Sequence, residues 1–389
     1  MAGSSQWPRL TARDRLLHVL GTEGALSRSD LVRRTGLSRS TITTLVAQLL
    51  TEQVLVERQD RGTPLNGRGG RPPILLELAE PAGVVLGLDL GHRHIRAGLA
   101  RLDGTMLAER LLALDVDASP AASLDRVAGL VEALLDESGH DRADVRAVGM
   151  GIPGPVDRTG TMTSGILPRW RGTRPGEALT ARTGLVARVD NDAHMGARGE
   201  LAYGAARGRR DVIYVKTSTG IGCGIIIDGK LVGGATGIAG ELGHVQVDEH
   251  GIICRCGSRG CLETEVSGPK LVELLQPAYD EPLTIPRVIA LAEDGDAGAN
   301  RALGDVGRRI GRVLADMCNL LNPELVVTGG AIGASPAFLA GVRDAIDRHA
   351  QPTAAAAVEV APGALGEDAE LRGAISVALE VGAPPAIPR

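Results

Sequence analysis

The sequence predicts a mixed α/β chain in which a small winged helix-turn-helix head, residues 1–80, precedes a two-lobed α/β body. Three observations carry this expectation. Residues 11–52 hold three stretches of helical periodicity, followed by two alternating runs on either side of a Gly-, Arg- and Pro-rich segment. From Val84 the pattern changes to strand, glycine turn and returning strand, and a similar unit recurs from Val212. Aromatic residues make up only 2% of the chain, so the cores must be built from Ala, Val, Leu and Ile.

In the head, Thr11 caps a first helix over Ala12–Leu20, which Gly21 and Gly24 are expected to end. Ser27 opens a second helix that closes near Thr35-Gly36. Ser38 caps a third, running to about Glu52, whose apolar side is Ile42, Leu45, Val46, Leu49 and Leu50. Two short helices joined by a Gly-containing turn form a helix-turn-helix. The outward side of the third helix carries Arg39, Ser40, Thr41, Thr43 and Thr44, donors suited to base edges and phosphates. Val54–Arg58 and Ile74–Leu78 read as a β-hairpin, with Arg68 and Arg71 among glycines at its tip. Arginines on such a wing suit a minor groove. Charge placement agrees: residues 1–80 hold 11 Arg and 8 acidic residues (+3), and the remainder carries −8 of the net −5.

In the body, Val84–Asp89 is a strand ending in Asp, then Gly91; Ile95–Leu102 is a second strand, and Asp103-Gly104 a tight turn. Backbone amides at such a turn can hold a nucleotide phosphate, with Asp89 in the shell of a magnesium ion. The second unit places Thr219, Gly220 and Gly222 in a loop before Ile225–Ile227, and Gly329-Gly330 closes a strand where it could pass beneath an adenine. These residues form the candidate nucleotide site. Asn191 and Asp192 follow the apolar stretch Leu185–Val189, which sets Asp192 to accept a proton from a substrate hydroxyl or to cap the helix Ala193–Tyr203.

His244, Cys254, Cys256 and Cys261 give His-x9-Cys-x-Cys-x4-Cys. Four N/S ligands in one short span match a closed tetrahedral zinc site of structural type. Glu241 and Glu263 flank it, so the metal would fix two carboxylates as acceptors for sugar hydroxyls.

With these segments in hand, the chain resembles the ROK family of repressors, open reading frames and sugar kinases. The resemblance rests on GELGH, CRCGSRGCLE, NDAH, GIPGPVD, STGIGCG and NPELVVTGG, and covers about residues 83–380. It implies an actin-like, ribonuclease H-like fold, with lobes at 83–195 and 196–380 and a C-terminal helix returning to the first. It implies sugar contacts from Asn191, Asp192, Glu241, His244 and Glu263, Asp192 as the family's catalytic base, and zinc on His244, Cys254, Cys256 and Cys261.

One departure bears on function. The family's kinases carry Asp-x-Gly-Gly-Thr at the first phosphate loop, whereas this chain has Asp89-Leu90-Gly91-His92-Arg93-His94. A side chain where backbone must approach phosphate removes room. The expectation is therefore a sugar-responsive DNA-binding regulator, a repressor of carbohydrate metabolism, with a degenerate ATP site. The alternative is a hexose kinase using Mg-ATP that carries a DNA-binding head. Expected partners are operator DNA, a sugar or sugar phosphate, and a second copy in a homodimer or homotetramer. No apolar run reaches the roughly 18 residues of a membrane span, and no apolar leader opens the sequence. A cytoplasmic protein is expected, with a disordered tail at 381–389.

Overall fold

The computed structural model describes residues 11–51, 54–58, 74–78, 83–163 and 165–382. They fall into two compact units that meet in sequence at Gly83-Val84.

The first unit holds α1 (Ala12–Glu23), β1 (Leu26–Ser27), α2 (Arg28–Thr35), α3 (Arg39–Thr51), β2 (Leu55–Arg58) and β3 (Leu75–Leu78). Ser27 caps α2 through a reciprocal capping box with Asp30, and Gly36 ends the helix with φ 71°. The Ser38 hydroxyl accepts from Thr41 N at 3.1 Å at the start of α3. β2 and β3 pair antiparallel, and β1 adds to the other edge of β3. Leu16, Leu31, Ile42, Val46, Leu49, Leu55 and Leu76 form its core. One expectation is corrected: α1 does not stop at Gly21 but continues to Glu23. Docking of Leu16, Leu17 and Leu20 in the core outweighs the roughly 1 kcal/mol that a helical Gly costs. Arg68, Arg71 and the hairpin tip lie outside the described residues.

The second unit is built twice over. Its first sheet is made of β4 (Val84–Leu90), β5 (His94–Arg101), β6 (Met106–Ala113), then β7 (Val145–Ile152) and β8 (Ala187–Asn191), in the order β6-β5-β4-β7-β8. α4 (Pro120–Ser138) and α5 (Pro175–Thr183) fall between these strands. α6 (Asp192–Tyr203) leads to β9 (Val212–Thr217), β10 (Ile221–Ile227) and β11 (Lys230–Leu231). α7 (Leu262–Val266), α8 (Gly268–Leu275), α9 (Ile285–Glu293) and α10 (Ala297–Leu321) precede β12 (Leu325–Gly329). α11 (Pro336–His349), α12 (Pro352–Ala357), β13 (Glu359–Pro362) and α13 (Ala369–Gly382) complete the described residues. The second sheet runs β11-β10-β9-β12-β13. In both sheets the first three strands in sequence form an antiparallel meander, and the last two add parallel to the first of them.

Each sheet has its own core. Leu86, Leu88, Val148 and Met150 pack with Val127 and Val131 of α4 in one, and Ile213, Val215 and Val326 with Ile310 and Leu314 of α10 in the other. Between them, α13 packs on α6 and on β4 and β7 of the first sheet. α13 extends through Gly382, two residues into the segment expected to be tail; residues 383–389 lie outside the described residues.

The β9–β10 turn also departs from expectation. Gly222, expected in the loop, lies inside β10, and only residues 218–220 form the turn. The reason is packing. A Cβ at Gly222 would sit 2.6 Å from Cβ of Ala193, and one at Gly224 would meet Ala197, so both glycines admit α6 against the strand. No helix among the described residues is long and apolar enough to cross a membrane.

Candidate functional site

A cleft between the two sheets holds a cavity of about 140 Å³. One wall is the start of α6. Asn191 caps this helix: its Oδ1 accepts from Ala193 N at 2.8 Å and His194 N at 3.3 Å, while its Nδ2 donates to Gly154 O at 3.0 Å. The alternative expectation, that Asp192 caps this helix, is corrected: Asn191 is the cap, and Asp192 is the first residue of the helix and lines the cavity. Asp192 Oδ2 accepts from Lys216 Nζ of β9 at 2.8 Å. Lys216 Nζ also lies 3.2 Å from Glu370 Oε1 on α13. Burial alone would disfavour the ammonium, but Asp192, Glu370 and Asp89 hold its pKa well above the usual lysine value. Burial pushes the Glu370 carboxyl up despite Lys216.

The opposite wall is the segment rich in Cys and His. Glu241, His244 and Glu263 all reach the cavity, as the sequence expected. Glu263 Oε2 accepts from Ile221 N at 2.9 Å and so braces the Thr219-Gly220 turn, which lines the same cleft. Burial pushes the Glu241 carboxyl up to about 7, against the pull of His194. His194, which sequence reasoning passed over, is buried with Nδ1 2.7 Å from Asp190 Oδ1 and Nε2 2.7 Å from Ala239 O. Burial opposes its protonation, yet these two acceptors outweigh it and raise its pKa. It pins the chain two residues before Glu241.

His244, Cys254, Cys256 and Cys261 converge, with all four ligand atoms within 4.8 Å of one another. Cys254 Sγ lies 3.6 Å from His244 Nδ1, and Cys256 Sγ 3.7 Å from Cys261 Sγ. Bonds of about 2.3 Å to sulfur and 2.0 Å to nitrogen set tetrahedral edges of roughly 3.8 Å (S to S) and 3.6 Å (S to N). The donor set and its spacing fit a zinc ion. With Nδ1 towards the thiols, His244 turns Nε2 to Glu241 Oε2, 3.7 Å away. His244 thus joins the thiol cluster to the cavity wall.

The candidate nucleotide side is altered. Asp89 is buried and Gly91 follows β4, but the imidazole of His94 lies against Gly91, where a Cβ would collide with the ring, and its Nε2 is 2.9 Å from Asp89 Oδ2. His92 Nδ1 lies 2.8 Å from Asp117 Oδ1, and Arg93 pairs with Asp115 at 3.3 Å. Gly330 lines an adjoining cavity of about 250 Å³ with Asp89, His94, Lys216 and Glu370. Gly329, at the end of β12, packs against the Tyr214 hydroxyl instead. These residues do not fit a Mg-nucleotide in the usual cradle.

In the other unit, Arg39, Ser40, Thr43 and Thr44 are exposed along α3 and Thr41 is half-buried. Thr43 Oγ1 donates to Arg39 O at 2.9 Å, and the Ser40 and Thr41 hydroxyls each lie 2.8 Å from Ser38 Oγ. Gln48, also exposed two turns on from Ser40, extends the face beyond the residues singled out from sequence.

The ROK family profile matches residues 85–381. The xylose repressor of Bacillus subtilis is 29% identical over 366 residues, 94% of each chain. The crystal structure of a ROK family transcriptional regulator, a homologue of the E. coli MLC protein, superposes with a TM-score of 0.74 at 25% identity, covering 95% of this chain and 96% of that one. A ROK family glucokinase from Streptomyces griseus, solved with glucose and AMPPNP, gives a TM-score of 0.64 at 30% identity, over 77% of this chain and all of that one. The family's repressors and its kinases thus both lie near this chain, which belongs to the ROK family.

Proposed function

We propose that this protein is a sugar-responsive, DNA-binding transcriptional repressor whose kinase-like body reads a sugar without phosphorylating it. The observation that carries the reading is the contrast within one cleft. Asp192, Glu241 and Glu263 stand ready for hydroxyls, while His94 covers Gly91 and bonds Asp89 on the nucleotide side. The xylose repressor's match over 94% of this chain, head included, supports the same reading.

Each residue has a task in it. Asp192, Glu241 and Glu263 accept hydrogen bonds from sugar hydroxyls, and Asn191 offers its second amide hydrogen. Unpaired hydroxyls are costly to bury, so fixed acceptors give selectivity. Zinc on His244, Cys254, Cys256 and Cys261 holds the segment carrying Glu241 to that carrying Glu263, and supplies rigidity rather than chemistry. The lobes close on the ligand, and the ligand shifts the population between DNA-competent and incompetent states by its differential affinity for them. α3, with Arg39, Ser40, Thr41, Thr43 and Thr44, enters the major groove, and Arg68 and Arg71 reach the minor groove. A homodimer or homotetramer presents paired heads to a palindromic operator.

The kinase reading retains one favouring observation, Asp192 at the cleft with the family's glucokinases as relatives. One experiment separates the two. Selection of bound DNA from a random pool, followed by gel shifts with and without sugar, should yield a motif whose binding the sugar changes. A coupled assay with glucose, mannose, xylose and Mg-ATP should show no turnover. Turnover in the ordinary kinase range, about 1–100 s⁻¹, without motif enrichment would reverse the assignment.

A further inference from the structure

The basic side chains of the cleft already have partners among this chain's own groups. Lys216 engages Asp192 and Glu370. His94 engages Asp89, His92 engages Asp117, and Arg93 pairs with Asp115. In the adjoining cavity Arg96 is shared by Glu109, Glu367 and Asp368. His244 is occupied by the thiol cluster and Glu241. Against these stand Asp192, Glu241 and Glu263 on the walls and Asp89 and Glu370 behind them. A phosphate ester entering here would meet acidic side chains, Asp192 foremost, and among the described residues lining the cleft no basic side chain without a partner.

Lys216 is placed for a specific part in this. It sits on β9 with a glycine on either side in the sheet, Gly222 on β10 and Gly329 on β12. Its ammonium reaches Asp192 at the start of α6 and Glu370 on α13, the two helices packed together between the sheets. It borders both cavities. A carboxylate bonded to an ammonium stays ionised and becomes a poor proton acceptor, yet it remains a strong acceptor for a neutral hydroxyl.

Resting on the reading of this cleft as a sugar site, we propose that its ligand is an uncharged sugar rather than a sugar phosphate, and that Lys216 is the positioning residue that holds Asp192 as the hydroxyl acceptor. The chain thereby keeps an internal cation where a phosphotransferase recruits one with its nucleotide. Sugar binding then needs neither nucleotide nor added metal at this end of the cleft, and the terminal phosphate of an ester is excluded by charge.

The test is calorimetric titration of the full chain with D-glucose, D-mannose and D-xylose, and with the terminal phosphate ester of each. At least one free sugar should bind, and its ester should bind at least about tenfold more weakly. Loss of a charge-assisted hydrogen bond corresponds to about tenfold or more, so Lys216→Met should weaken the free sugar by that factor. Asp192→Asn should do the same, and the double variant should lose no more than Asp192→Asn alone, because Lys216 acts through Asp192. A purely architectural lysine would give additive losses, which overturns its positioning role. Lys216→Arg, which keeps the charge, should recover most of the affinity and serves if Lys216→Met does not fold. Arg93 is the most exposed of these basic side chains, so Arg93→Ala tests for a hidden phosphate contact and should leave both affinities unchanged. An ester that binds as well as its free sugar overturns the ligand class while leaving the sensor reading in place. Failure of every free sugar and every ester to bind overturns both.

Discussion

His94 Nε2 lies 2.9 Å from Asp89 Oδ2, and its ring rests on Gly91 at the turn between β4 and β5. A nucleotide at this turn would need Gly91 bare and Asp89 free to face a metal. Both conditions are removed by one side chain, and Asp89 Oδ1 is left buried without a hydrogen-bond partner. We expect the wild-type chain to show no saturable binding of Mg-AMPPNP below about 1 mM, roughly 4 kcal/mol of binding free energy. His94→Ala, by clearing Gly91 and releasing Asp89, should bind it measurably better. Micromolar binding by the wild type in a calorimetric titration would contradict this account.

A second expectation concerns the metal. Purified protein should carry one zinc per chain by elemental analysis, and Cys256→Ser should lose it. The loop between Val245 and Leu262 contains no helix or strand of its own and is tied by turn-type hydrogen bonds, among them Val247 N to Gly260 O, Cys254 N to Ser258 O, Gly260 N to Ile252 O and Leu262 N to Val245 O. Without a metal those hydrogen bonds alone must hold three thiols and an imidazole together. A loss of about 3 kcal/mol is expected, a fall of roughly 5 °C in Tm for a unit of this size. Because Glu241 and Glu263 flank the cluster, sugar affinity should fall in the same variant. An unchanged melting temperature with stoichiometric zinc in Cys256→Ser would remove that residue from the ligand set.

The parts of this site that are legible in sequence are those made by short stretches of chain. His244 and the three cysteines, Ser27 and Ser38 as caps, and Asn191-Asp192 at a helix start all act within a few residues of themselves. Lys216 and Glu370 were not legible, because nothing in VIYVKT says that its one charged side chain meets α6 and α13. The placement of Gly222 in the loop is corrected for the same reason: a Gly-rich string reads as a loop, whereas here the missing side chains of Gly222 and Gly224 make room for Ala193 and Ala197. His94 could have been found, since an imidazole three residues after the loop Gly, on the strand leaving it, is within reach of the Asp before it.

The packing of α6 on α13 gives a third expectation. A Cβ at Gly373 would collide with the Met195 carbonyl, and one at Gly199 with that of Ala369. These helices carry Asp192 and Glu370, the two partners of Lys216. Gly373→Ala must separate them, because backbone cannot step aside as a side chain can. We expect a destabilisation of about 3 kcal/mol, with a loss of sugar affinity greater than any fall in folded fraction explains. Gly129→Ala in α4, where nothing lies within 4 Å of the added methyl, is the control. It should stabilise by about 0.5–1 kcal/mol. Urea titration of both variants checks the pair, and equal effects would mean that the close helix contact is not maintained in solution.

The head supplies the last expectation, in which two arginines should fail differently. Arg39 is exposed in the first turn of α3, the end of a recognition helix that meets base edges. Arg39→Ala should cost about 1–3 kcal/mol on the preferred operator and far less on unrelated DNA, so discrimination falls. Arg68 stands among glycines in the sequence between β2 and β3, outside the described residues, and is expected at phosphate or in a minor groove. Arg68→Ala should weaken every sequence alike and reduce the slope of log affinity against log salt by about one. Fluorescence anisotropy on specific and scrambled duplexes at several salt concentrations separates the two outcomes. If Arg39→Ala lowered both duplexes equally, α3 would be gripping the backbone rather than reading bases, and the assignment of its exposed face would have to move towards Gln48.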